Sequence, residues 1–64
     1  MRNLKMKIAR MTSNVTQDQI ASRLGVDVSK VSRIENGFIE PNEREKQVIA
    51  ELLNADLKAL FPEN

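Results

Sequence analysis

QDQIASRLGVDVSKVSRIEN, residues 17–36, decides the fold of this 64-residue chain. Thr16 stands in front of it as a helix N-cap, and Gln19 follows three residues later, the spacing of a capping box. Val15 and Ile20 occupy the two positions of a hydrophobic staple, and Ile20, Ala21 and Leu24 then form one apolar stripe. Gly25 ends this helix where the chain needs a positive φ. Asp27 can cap the next helix, with Val26 and Val31 as its staple pair. The stretch therefore has the layout of two short helices joined by a tight turn.

The faces of the later helix, residues 28–36, separate cleanly. Val31 and Ile34 lie on one side and are expected to pack on Ile20, Ala21 and Leu24, where small Ala21 allows close approach. Val28, Ser29, Ser32, Arg33 and Asn36 lie on another side, expected to face solvent. That side carries little formal charge and several hydrogen-bonding groups. Such a surface suits base edges in the DNA major groove better than it suits mere attraction to phosphate. Each residue also has a plainer reading. Arg33 can pair bidentately with guanine or simply be solvated. Ser29 and Ser32 can be surface serines, and Val28 can meet a thymine methyl or shield the core beside the turn.

Outward from this unit the chain reads as all helix. A first helix over residues 2–12 offers two stripes, Met1, Leu4, Ile8 and Met11 on one and Met6 and Ala9 on the other; the pattern leaves open which is buried more deeply. Asn14 is an end signal, because asparagine tolerates the left-handed backbone that follows many helices. Asn36-Gly37 marks a turn, and Pro41-Asn42 opens a fourth helix over residues 43–53. Val48, Ile49, Leu52 and Leu53 form its apolar face, and Glu43 and Glu45 occupy its first turn, where the helix dipole favours acids. Asp56 can cap a short last helix over residues 57–61, with Leu57, Leu60 and Phe61 as core candidates and Pro62 as the stop.

Length and composition narrow the function classes. A chain of 64 residues makes one domain, residues 1–64, and buries roughly 60% of its unfolded surface. With no cysteine and no histidine, neither a disulfide framework nor a zinc site is expected, and no cofactor is implied. No glycine-rich phosphate loop exists, and the Glu43–Glu45 pair diverges on a helix, so an enzyme is not expected. No apolar run approaches the ~18 residues of a membrane span. The N-terminus mixes charges among its apolar positions, unlike a signal peptide, so cytoplasmic residence is the expectation. Nothing points to a small-molecule ligand.

Net charge is +1, but it is unevenly spread. Residues 1–33 hold seven basic side chains against two acids, a balance of +5; residues 34–64 hold three against seven, a balance of −4. A basic half supplies the electrostatic part of DNA affinity and an acidic half faces away from phosphate. Taken alone, the asymmetry fits ordinary solvated surface equally well.

Residues 16–37, TQDQIASRLGVDVSKVSRIENG, resemble the helix-turn-helix of the phage lambda repressor and Cro type, the XRE family. The shared features are the Thr16-Gln17 opening, the Ile20-Ala21 pair, Leu24-Gly25-Val26 at the turn and the SRIENG close. More loosely, Arg10 late in helix one and the Ala59-Leu60-Phe61 ending fit the family's domain. The resemblance implies a compact, all-α, five-helix lambda-repressor-like DNA-binding domain with its helix-turn-helix at residues 17–36. It implies base contacts from Val28, Ser29, Ser32 and Arg33, and backbone contacts from Thr16, Gln17, Lys30 and Asn36. It also implies a structural ion pair between Arg10 and Glu35. For Lys30 an unpaired surface lysine, and for Gln17 simple helix capping, are the alternatives. Where relatives often carry Lys or Arg after the Glu-Asn-Gly triplet, this chain has Phe38, Ile39 and Glu40, which implies either fewer phosphate contacts from that loop or a compensating phosphate contact from Arg44. Phe38 and Ile39 either pack beneath the fourth helix or meet a second subunit.

Double-stranded DNA is thus the expected partner. The family also implies a homodimer through the helix-four and helix-five region, with Phe38, Ile39, Leu57 and Phe61 as possible contacts. Two half-sites would then lie about 34 Å apart. The competing expectation is a protein-interaction module of antitoxin or adaptor type, working through the acidic half or Phe38-Ile39.

Overall fold

The computed structural model describes residues 3–62. Met1 and Arg2, assigned above to the first helix and the basic half, and the acid Glu63 lie outside the described residues. The described chain is all helical, with α1 over Leu4–Thr12, α2 over Gln17–Leu24, α3 over Val28–Glu35, α4 over Glu43–Leu52 and α5 over Leu57–Leu60.

The helix ends follow local chemistry. Asn3 caps α1, its Oδ1 accepting from the Met6 N–H at 3.0 Å, so the helix starts two residues later than expected. Asn3 also donates from Nδ2 to the Leu60 carbonyl at 2.9 Å and from its backbone N–H to the Glu35 carbonyl at 2.8 Å. This one residue ties α1 to the ends of α3 and α5. Thr16 and Gln19 form the full capping box on α2. Asn42 and Glu45 form another on α4, which the sequence pattern above did not single out. Gly25 ends α2 at φ 73°, and Asn14 and Asn54 take the same left-handed region after α1 and α4. Asp56 precedes α5 without capping it through its side chain.

The core draws on all five helices. Met6, Ile20, Val31 and Ile49 are fully buried, and Ala21, Leu24, Ile34, Ala50, Leu53, Leu60 and Phe61 complete the cluster. Complete burial of an aliphatic side chain of this size contributes about 1.5–3 kcal/mol before entropy is charged against it. On α1 the sparser stripe faces inward. Met6 is buried and Ala9 half-buried, while Leu4, Ile8 and Met11 are 57%, 62% and 60% exposed. Polar residues complete the inward face through bonds to other elements. Arg10 reaches Glu35, and the Ser13 hydroxyl donates to the Leu53 carbonyl at 3.0 Å.

The C-terminal half decides between the alternatives left open above. Phe61, a core candidate also offered as a possible dimer contact, is core, buried in the same cluster as Leu60. Leu57 and Ile39 are half-buried against that same cluster. Phe38 alone of the four is open, 79% exposed on the α3–α4 loop, so it does not pack beneath α4.

Candidate nucleic-acid interface

The outer face of α3 begins at a cap. The Asp27 carboxylate accepts from the Ser29 backbone N–H at 3.1 Å and from the Ser29 hydroxyl in a short hydrogen bond. Those two bonds, the hydroxyl's first, hold the Asp27 carboxyl below its ordinary value, and the charge of Arg33 adds to the effect. Ser29 is therefore exposed but oriented, with its hydroxyl proton committed and its oxygen still able to accept.

Val28, Arg33 and Asn36 are exposed beside it, and Ser32 is half-buried. Asn36 donates from Nδ2 to the Ser32 carbonyl at 2.9 Å, which fixes its amide over the last turn. The side chains expected to read bases thus share one uncovered face, while Val31 and Ile34 on the reverse are buried. An open recess flanks this face on the side of α1 and α2. It gathers Gln17, Val28, Ser32 and Asn36 from α2, α3 and the turn after it, and Lys7 from α1. Lys7 is exposed and was not among the residues expected at the interface. Its available signal was its place one helical turn before Arg10, on the flank of α1 that approaches α3.

Below the recess lies a buried polar knot. Glu35 is 5% exposed at its side chain and accepts from Arg10 Nε at 2.5 Å. The Arg10 guanidinium also donates to the Val15 carbonyl at 3.3 Å. Gln17 Nε2 donates to the other Glu35 oxygen at 2.9 Å. A buried carboxylate demands such partners, since an uncompensated charge in the interior is strongly destabilising. The knot joins α1, α2 and α3 and presents half-buried Gln17 from one direction.

Besides Gln17 and Asn36, two more of the expected phosphate ligands make bonds within the chain. The Thr16 hydroxyl accepts from the Gln19 N–H at 3.1 Å in the capping box. For Lys30 the structure corrects the alternative of an unpaired surface lysine. Its ammonium donates to Glu45 Oε2 at 2.8 Å, because its position on α3 turns it back toward α4 rather than outward with Ser29 and Arg33. Arg44, on the first turn of α4, is exposed. Lys46 is nearly buried, meets Glu40 at 3.0 Å and Glu43 at 3.7 Å, and lies 5.9 Å from the Phe61 ring centroid. It is a structural lysine that periodicity did not flag.

Among the described residues no helix is long and apolar enough to cross a membrane. A family model described as a helix-turn-helix domain matches residues 4–61 of the chain. No curated protein matches it.

Proposed function

The chain belongs to the helix-turn-helix domain family, and from that premise we propose that it binds double-stranded DNA sequence-specifically as a transcriptional regulator, with α3 in the major groove. The observation that carries this reading is the face of α3 itself. Val28, Ser29, Arg33 and Asn36 stand exposed on a helix whose opposite side is locked into the core. The bonds that Ser29 and Asn36 make there are local to α3 and its caps, and the donors and acceptors of that face match base edges.

In this mechanism contacts to phosphate fix register, from Lys7, Arg44, half-buried Gln17 and the backbone N–H groups at the start of α2. Arg33, Ser29 and Ser32 then choose the sequence, and Val28 meets a thymine methyl. The module by itself reads few base pairs. A homodimer on a palindromic operator supplies the second half-site, and repression by occlusion of polymerase is the simplest outcome. With Phe61 in the core, apolar surface for self-association comes from Phe38 or the outer stripe of α1. Residence in the cytoplasm belongs to the same reading.

Selection of bound sequences from a random duplex pool tests it. A recovered palindrome gives site and stoichiometry together. Arg33→Ala should then cost about 1–3 kcal/mol at one base position and relax preference there, rather than weaken all DNA equally. A pool that stays random, with binding indifferent to salt, overturns the reading.

A second reading rests on a separate observation. Phe38 and the Leu4, Ile8 and Met11 stripe are large apolar groups left open to solvent. A protein-interaction module of antitoxin or adaptor type would use them. It predicts that Phe38→Ser or Ile8→Gln abolishes partner binding while leaving any DNA affinity intact.

A further inference from the structure

We propose that Glu45 is a positioning residue for the reading helix, acting through Lys30 to brace the N-terminal end of α3 and to withhold that lysine's charge from the DNA backbone. The inference rests on the DNA-binding reading above and deepens it. Four observations support it.

The first is a gap. α3 packs on α2 and approaches α1, but no Cα of α3 comes within 8 Å of one in α4. Lys30 and Glu45 span that gap at 2.8 Å. The second is that Glu45 is itself immobilised. Its Oε1 accepts from the Asn42 N–H at 2.9 Å, and its own N–H donates to Asn42 Oδ1 at 2.8 Å. With Oε2 on Lys30 and a side chain 7% exposed, the carboxylate has no room to swing away. The capping box thus serves as a mount for the anion.

The third observation is placement. Lys30 follows Ser29 directly and precedes Arg33 by three residues, so its stem leaves α3 beside the reading face. Released from Glu45, a lysine there would reach phosphate. The fourth is what remains once it is held. Among the described residues, Arg33 is then the cation left on the outer face of α3, beside the Asp27 carboxylate and otherwise neutral groups. Phosphate contacts add affinity for every sequence alike. Holding one such contact back lowers non-specific binding and leaves the base contacts untouched.

The test uses the full chain, a random-sequence duplex and the site recovered by selection, each titrated by fluorescence anisotropy between 50 and 200 mM salt. Glu45→Gln keeps a residue that serves at the same capping-box position but removes the anion. It should steepen the slope of log K against log salt on random duplex by about 0.9, deepening the loss of affinity over that range about threefold. Discrimination between selected and random duplex should fall. Adding Lys30→Met to Glu45→Gln should return the slope to the wild-type value. Lys30→Met alone should lower discrimination, because the brace is gone, yet leave the slope unchanged. If Glu45→Gln folds and binds random duplex with wild-type slope and affinity, the proposal fails while the DNA-binding reading stands. Should Glu45→Gln not fold, Lys30→Met decides: a slope shallower by about 0.9 would place Lys30 on phosphate in the complex and overturn the proposal. A wild-type protein that binds no duplex overturns both.

Discussion

The two ends of α3 are fastened by ion pairs of opposite construction. At the C-terminal end the anion belongs to α3: Glu35 is buried and answers to Arg10 of α1 and Gln17 of α2. At the N-terminal end the cation belongs to α3: Lys30 is about one-third exposed and answers to Glu45 of α4. Both charges stand against the helix dipole, which favours acids in the first turn and bases in the last. Local helix energetics therefore do not account for either. Each makes sense only through a partner on another element. The placement alone does not single them out, since Arg44 and Glu51 also stand against the dipole of α4 and are exposed; burial against a partner sets Lys30 and Glu35 apart.

The comparison breaks hardest at Glu35. Its removal leaves Arg10, 16% exposed at its side chain, beside an empty site with no carboxylate to meet. Glu35→Ala should cost about 3–5 kcal/mol, as does breaking a buried pair from one side. A domain this small has little more than that to lose. Urea unfolding at pH 7 should show a protein largely unfolded before denaturant is added. A midpoint within experimental error of wild type would mean the knot contributes nothing.

Glu45→Ala should fall well short of that. It removes the reciprocal capping bond and the partner of Lys30, but Lys30 can turn its ammonium to water. A loss of about 1–2 kcal/mol is expected in the same titration, with the helical circular-dichroism signal retained at 25 °C. Equal losses for the two alanine variants would erase the distinction between a buried anchor and a peripheral brace.

How legible was each end beforehand? Thr16, Gln19 and Gly25 announced α2 by local rules, and the structure has the capping box and the left-handed glycine where those rules put them. The Arg10–Glu35 pair was approached only through family resemblance, since no helical spacing connects residues 25 positions apart. Lys30 and Glu45, separated by 15 positions, have no local pattern either, and the loop that departs from the family pattern lies between them. On α1 the more populous apolar stripe is the exposed one. Asn3, Arg10 and Ser13 decide the orientation, each bonding to a distant element that periodicity cannot see. Counting apolar residues fails where polar side chains make the tertiary contacts.

Acid separates the N-terminal brace by another route. The bond from Lys30, and after it the Asn42 N–H, hold the Glu45 carboxyl below its ordinary 4.5. A lowered folded-state value means the carboxylate contributes stability in full above the unfolded value. That contribution is lost as pH falls from about 4.5 through the folded value. Glu45→Gln should remove this part of the acid dependence, leaving a flatter stability curve below pH 4.5 than wild type. Thermal melts at half-unit pH steps from 6 to 3 would show it, and parallel curves for the two proteins would count against a charged brace.

The smallest effect is expected at Asp27, which precedes Lys30 by three residues at the same end of α3 and differs from Glu45 in being fully open to water. Its carboxyl is held low by the Ser29 hydroxyl, then by the Ser29 N–H, with Arg33 contributing through charge. Asparagine caps helices as well as aspartate does. Asp27→Asn should therefore melt with wild type at pH 7 and differ only in acid, where wild type loses the aspartate's contribution as pH falls below 3.8 and the variant has none to lose. Because the Ser29 hydroxyl would then face an amide rather than an anion, its proton is released more readily toward a base acceptor. Base preference opposite Ser29 should broaden in the selection experiment without any change in salt slope. That outcome would distinguish a cap that orients a reading residue from the anion of the brace, since Glu45→Gln is expected to move slope and discrimination together.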